Sequence, residues 1–163
     1  MIVLGIDPGL ATTGYGIVVK EGNQYYEKDY GYINTPAGMD LHQRLLIIFR
    51  SIGVLIDRYA PEAVAVEKLF FSKNARTALQ VGEARGAILT ATAEKGLPVY
   101  EYTPLQVKQA VAGYGRADKK QVQQMVSILL RLAEPPRPDD AADALAVALC
   151  FLQSFKLEQL SRR

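Results

Sequence analysis

The chain has 163 residues, 49% of them hydrophobic, with 19 Lys+Arg against 17 Asp+Glu for a net charge of +2, one Cys, one His and no Trp. A chain of this length buries roughly 70% of its unfolded surface, so residues 1–163 read as one soluble domain that needs neither disulfides nor a structural metal. The lone Cys150 fits a reducing, cytoplasmic setting, MIVLGID lacks the basic start of a signal peptide, and the late apolar run from Ala144 to Leu152 is far short of the ~20 residues that span a bilayer, which excludes secreted, membrane-spanning and disordered classes.

Ile2 to Asp7, Gly14 to Val19 and Tyr25 to Ile33 read as three strands joined by glycine-containing turns, the pattern of an antiparallel meander. Leu41, Leu45, Ile48, Ile52, Leu55 and Ile56 recur near a 3.6-residue period and predict a helix from Leu41 to about Tyr59. Ala63 to Glu67 is a short fourth strand, and an Ala-rich helix follows from about Asn74 to Glu94 and stops at Gly96. Val99 to Tyr102 makes a fifth strand. Thr103 and Pro104 then open a helix ending near Gly113. Asp118 with Gln121 has the spacing of a capping box for another helix to about Leu132. Pro135, Pro136 and Pro138 form a rigid connector to a last helix beginning at Asp139 or Asp140, and about eight C-terminal residues are expected to form a tail.

Four acids invite a common site. Period-2 alternation puts Val3, Gly5 and Asp7 on one face of the first strand and Ala63, Ala65 and Glu67 on one face of the fourth, so each strand ends in a carboxylate. If these strands are parallel neighbours, Asp7 and Glu67 lie side by side where open α/β sheets hold their ligands, above small residues that let a helix approach. Asp140 and Asp143 share one face of the last helix, continued by Val147, Cys150 and Phe151. Taken singly, each acid reads more readily as a helix-end or surface charge. Clustered, they repel by about 1 kcal/mol per pair in water and about 4 at an effective dielectric of 20, and so call for a cation. An oxygen-only donor set points to a hard ion, Mg²⁺ or Mn²⁺, and two such ions are the usual apparatus of phosphodiester hydrolysis.

The charge is uneven along the chain. Residues 1–67 carry 5 basic and 8 acidic side chains, residues 68–120 carry 9 and 4, and residues 121–163 carry 5 of each. A basic middle third fits either an anionic partner or a set of solvated helix faces. Gly5-Ile6-Asp7-Pro8-Gly9 has the glycines of a phosphate loop but lacks its Gly-Lys-Ser/Thr ending and a following helix, so a tight turn between strands is the favoured reading.

GIDPG at the first strand's end, TGYG after it, Val66-Glu67-Lys68-Leu69-Phe70, Lys73-Asn74-Ala75, Gln109 to Gly115 and above all Asp140-Ala141-Ala142-Asp143-Ala144-Leu145 resemble the RuvC family of bacterial Holliday-junction resolvases, in order and through almost the whole chain. The resemblance implies an α/β, ribonuclease-H-like fold: a five-stranded mixed sheet, its first three strands antiparallel, with helices on both faces. It implies a homodimer whose two sites nick a four-way DNA junction symmetrically, leaving 5′-phosphate and 3′-hydroxyl ends, with the RuvA–RuvB branch-migration complex as partner. Carried over, the metal-binding and catalytic acids are Asp7, Glu67, Asp140 and Asp143, holding Mg²⁺, two per site, with Mn²⁺ as a substitute. Asp139 departs from the pattern: the motif's phase favours Asp140 as ligand and Asp139 as N-cap, with the choice open. Lys108 and Lys119, with Lys120 beside them, match basic positions near the scissile phosphate. Phe70 matches a residue that stacks on an unpaired base. Lys73, Arg76, Arg85 and Arg116 read as phosphate contacts, with solvated helix faces as the alternative.

Overall fold

The computed structural model describes residues 1–68 and 74–161. Strands β1 (Ile2–Asp7), β2 (Thr12–Glu21) and β3 (Gln24–Asn34) are followed by α1 (Leu41–Tyr59), β4 (Ala63–Glu67), α2 (Ala75–Glu94), β5 (Val99–Tyr102), α3 (Pro104–Ala112), α4 (Lys119–Leu130) and α5 (Asp139–Ser161). The sheet order is β3-β2-β1-β4-β5, with β2 antiparallel to both of its neighbours, β1 and β3, and β4 and β5 parallel to β1. This is the mixed, ribonuclease-H-like arrangement that the resemblance implies. β2 and β3 run longer than their apolar cores suggest, because pairing continues to Glu21 and Gln24 at a tip where Gly22 takes φ +59°.

Alternation divides the core into two layers. Leu4, Ile6, Val64 and Val66 face α1 and α2. Val3, Ala63, Ala65 and Tyr102 face α3, α4 and α5. On α1 the buried stripe is Ile48, Ile52, Leu55 and Ile56, while Leu41 at the helix start is left exposed. α5 is the central beam of the second layer: Leu145, Val147, Leu149, Cys150, Phe151 and Leu152 are all buried, and each large side chain contributes roughly 1.5 to 3 kcal/mol of burial. The helical backbone of α5 continues to Ser161, through most of the segment expected to be a tail. Among the described residues no helix is long and apolar enough to cross a membrane.

The caps expected at Thr103 and Asp118 are present. Thr103 accepts from the Gln106 amide and Gln106 Oε1 accepts from the Thr103 amide. Asp118 and Gln121 do the same for α4. These reciprocal bonds satisfy the donors that a helix start leaves unmatched. On α4 the buried stripe is Val122, Val126 and Leu130, with Met125 and Leu129 partly covered. Ile128 lies on the opposite face, 66% exposed.

What seats α5 is the absence of side chains beneath it. A Cβ on Gly5 would stand 2.8 Å from Ala148 Cβ, and one on Gly16 would stand 2.7 Å from Leu145 Cδ2. At Gly14 a Cβ would run into the backbone carbonyl of Asp140. Glycines on β1 and β2 therefore fix the height at which α5 lies on the sheet. Gly14→Ala is expected to destabilise the fold by about 1 to 3 kcal/mol, as overpacking does. A urea midpoint equal to that of the parent chain would contradict it.

Candidate metal centre

The parallel register pairs Ile6 with Val66, so the next residues, Asp7 and Glu67, end β1 and β4 side by side. Their carboxyl groups share a hydrogen bond. From above, the first turns of α5 bring Asp140 and Asp143 over the same sheet end, because Gly14 on β2 opposes Asp7 across the antiparallel ladder and admits the Asp140 backbone. The electrostatics record the convergence. Burial pushes the Asp7 carboxyl up to about 8, with Glu67, Asp143 and Asp140 each adding to the rise and Lys119 opposing it. Burial likewise raises Glu67, helped by the Asp143 charge and opposed by its bond with Asp7 and by Lys119 and Lys108. Asp143 is raised by burial against the pull of Lys119.

Lys119, at the first position of α4, projects its Nζ to 3.1 Å from Asp143 Oδ2 and 3.4 Å from Asp139 Oδ2. Burial disfavours its charge, but the two acids outweigh that and hold its pKa above the usual lysine value. Glu67, Lys108, Lys119 and Asp143 line one cavity of about 240 Å³, whose remaining wall is Pro104, Val107, Val122 and Ala146. Lys108 and Lys119 thus stand at the acids from two different helices.

The donor set of Asp7, Glu67, Asp140 and Asp143 is all oxygen and strongly anionic, which suits Mg²⁺ or Mn²⁺ and no soft metal. As placed, no three such donors among the described residues are gathered tightly enough to enclose an ion. Their charge is balanced instead by the Asp7–Glu67 hydrogen bond and by Lys119. The backbone brings the four acids to the same end of the sheet.

Other expected positions lie elsewhere. Phe70 and Lys73 fall outside the described residues. Arg76 is exposed at the start of α2, and Arg116 and Lys120 are exposed around the start of α4. Arg85 is not presented as a free cation: it forms an ion pair with Glu101 of the edge strand β5. Asp139 is not the N-cap of α5 but its first helical residue. Its carboxylate accepts a 2.9 Å hydrogen bond from Gln123 Nε2 and pairs with Lys119, which together hold it below the usual carboxylate range. Gln123 was invisible to motif reading. The available signal was its position four residues after Lys119, on the same helix face. The glycine turn is structural, as Thr13 Oγ1 donates to the Gly9 carbonyl at 2.6 Å and ties the loop to β2.

The family model described as crossover junction endodeoxyribonuclease RuvC matches residues 3–151. A protein of that description from Halothermothrix orenii is 55% identical over 159 residues, 98% of this chain and 96% of its own length. Another, from Moorella thermoacetica, is 61% identical over 150 residues, 92% of this chain and 90% of its own. The solved structure of Thermus thermophilus RuvC in complex with a Holliday junction substrate superposes with a TM-score of 0.92 at 42% identity, covering 97% of this chain and 96% of that one. This chain, with four acids at one end of its mixed sheet, belongs to the RuvC crossover junction endodeoxyribonucleases.

Proposed function

We propose that this protein is a Mg²⁺-dependent endonuclease that resolves four-way DNA junctions by paired, symmetric phosphodiester hydrolysis, leaving 5′-phosphate and 3′-hydroxyl ends. The observation that carries the reading is the meeting of Asp7 and Glu67 on adjacent parallel strands with Asp140 and Asp143 on a glycine-seated helix. Asp7, Glu67, Asp140 and Asp143 would hold the metal, two ions per site, with Mn²⁺ able to substitute. Bound there, the metal supplies an activated water and charge stabilisation at the leaving oxygen. The chain's own contribution is orientation and charge. Lys119, anchored beside Asp143, and Lys108, across the cavity, offset the negative charge that grows on the phosphoryl oxygens. Val107, Val122 and Ala146 form the cavity's apolar side, which limits water near the reacting phosphate.

Around that centre Arg76, Arg116 and Lys120 act as phosphate-positioning cations, with Lys73 in the same role and Phe70 stacking on an unpaired base. Two copies related by a two-fold axis match the symmetry of a four-way junction, which is how one active site per chain yields paired cuts. The setting is the cytoplasm, alongside the RuvA–RuvB branch-migration complex.

The test is a labelled mobile four-way junction incubated with pure protein, with Mg²⁺, with Mn²⁺ and with chelator. The expected result is ligatable nicks paired across the junction and dependent on metal. Junction binding with no nicking under either metal would make the protein a binding module for branched DNA and overturn the reading.

A further inference from the structure

The contacts of Lys119 reach beyond the four acids. Its Nζ is shared between Asp143 Oδ2 at 3.1 Å and Asp139 Oδ2 at 3.4 Å, and Asp139 Oδ1 in turn accepts from Gln123 Nε2 at 2.9 Å. Both partners of Asp139 come from α4, where Lys119 and Gln123 lie four residues apart on one face, while Asp139 itself begins α5. One carboxylate therefore bridges the two helices, with one oxygen fixed by an amide and the other facing the ammonium. Around the helix Asp139 stands about 100° from Asp140 but only about 40° from Asp143, four residues on, so Asp139 and Asp143 both face Lys119.

The geometry points to Asp139, oriented by Gln123, as a positioning residue that holds the Lys119 ammonium at the cleft while Asp143 is engaged with the metal. The inference rests on the role given to Lys119 above and deepens it. A lysine ammonium is a point charge on a flexible four-carbon stem, so its location depends on its anchors. Of the two anchors here, Asp143 is itself a proposed metal ligand, and a divalent charge draws its oxygens away from the lysine. Asp139 lies outside the ligand set and keeps its hold. The Gln123 bond matters because it prevents the exposed carboxylate from rotating into solvent.

The isosteric Asp139→Asn variant, compared with Asp139→Glu, Gln123→Ala and the double variant Lys119→Met/Asp139→Asn, separates this role from the others. At saturating Mg²⁺, single-turnover cleavage of the four-way junction should slow about tenfold in Asp139→Asn, the size usual for groups that orient a functional side chain. Junction affinity and the Mg²⁺ half-saturation should stay within about twofold of the parent. Asp139→Glu should recover part of the rate, and Gln123→Ala should lose less than Asp139→Asn. In the Lys119→Met background, Asp139→Asn should add no further loss, because the residue acts only through that lysine. A readout independent of cleavage is the side-chain NMR of Lys119 in chelated protein, where Asp139→Asn should increase the motion of its Cε. A several-fold rise in Mg²⁺ half-saturation that persists at pH 9, where proton competition for the acids is relieved, would make Asp139 a ligand and overturn the proposal. Losses that add in the Lys119→Met background would do the same. So would an unchanged rate with a lowered melting temperature, which would leave Asp139 as a helix-end charge only. If the parent protein nicks no junction, the functional reading fails, while the Lys119 motion still reports whether the Asp139 strut exists.

Discussion

Asp7→Asn is expected to abolish junction cleavage, by at least about a thousandfold, while leaving junction affinity nearly unchanged and making the metal-free protein more stable above pH 8. The first effect follows from removing a ligand charge at the end of β1, where metal stabilisation of the transition state is worth several kcal/mol and each 1.4 kcal/mol is about tenfold in rate. Affinity survives because the cations assigned to DNA lie on other elements and the amide is isosteric. The third effect comes from the cluster itself. Asp7 releases its proton near 3.8 when unfolded and near 8 when folded, chiefly through burial and the charges of Glu67 and Asp143. Between those values the native state binds more protons, so stability falls as pH rises through the window. Asn carries no such penalty. The melting temperature of Asp7→Asn in chelator should therefore match the parent's near pH 3 and exceed it at pH 8.5, by about 2 to 4 °C per kcal/mol released in a domain of this size. Parallel melting curves across that range would show that Asp7 does not sit in a coupled acidic cluster. Loss of binding together with cleavage would break the assignment of binding and chemistry to separate residues.

Much of this was legible in the sequence because it depended on local regularities. Strict alternation in VLGID and AVAVE placed Asp7 and Glu67 on matching faces before any pairing was known, and the parallel register then set them together. The helix starts at Thr103–Pro104 and at the Asp118–Gln121 capping box were readable for the same reason, since each signal lies within four residues. What stayed hidden depended on partners distant in sequence. Arg85 has the look of a free cation in a basic stretch, yet Glu101 reaches it from β5. Asp139 has the residue type and position of a helix cap, yet tertiary contacts with α4 redirect its carboxylate to Lys119 and Gln123. Gly14 and Gly16 belong to a recognisable motif, but their physical role emerges only when α5 is laid across them. In each case the deciding contact comes from a residue far away in sequence and exists only in the packed molecule.

Lys119→Met should slow cleavage about a hundredfold at saturating Mg²⁺, with junction affinity reduced by no more than about tenfold, because removing one preorganised positive donor from a site of growing negative charge typically costs that much in rate. Met retains the apolar stem that lies along the cavity wall and deletes only the ammonium. Two roles for that ammonium make different predictions. Lys119 lowers the proton affinity of Asp7, Glu67 and Asp143, so its loss strengthens proton competition for the ligand carboxylates and raises the apparent Mg²⁺ requirement near neutral pH. Higher pH and higher Mg²⁺ relieve that competition. A charge that stabilises the reacting phosphate is not restored by either. Rates measured from pH 6.5 to 9 across a Mg²⁺ titration should therefore show the variant's half-saturation approaching the parent's at high pH, while its plateau rate remains about a hundredfold lower. A plateau that recovers fully at pH 9 would reduce Lys119 to a counter-ion for the acids and remove it from the chemistry of phosphodiester cleavage.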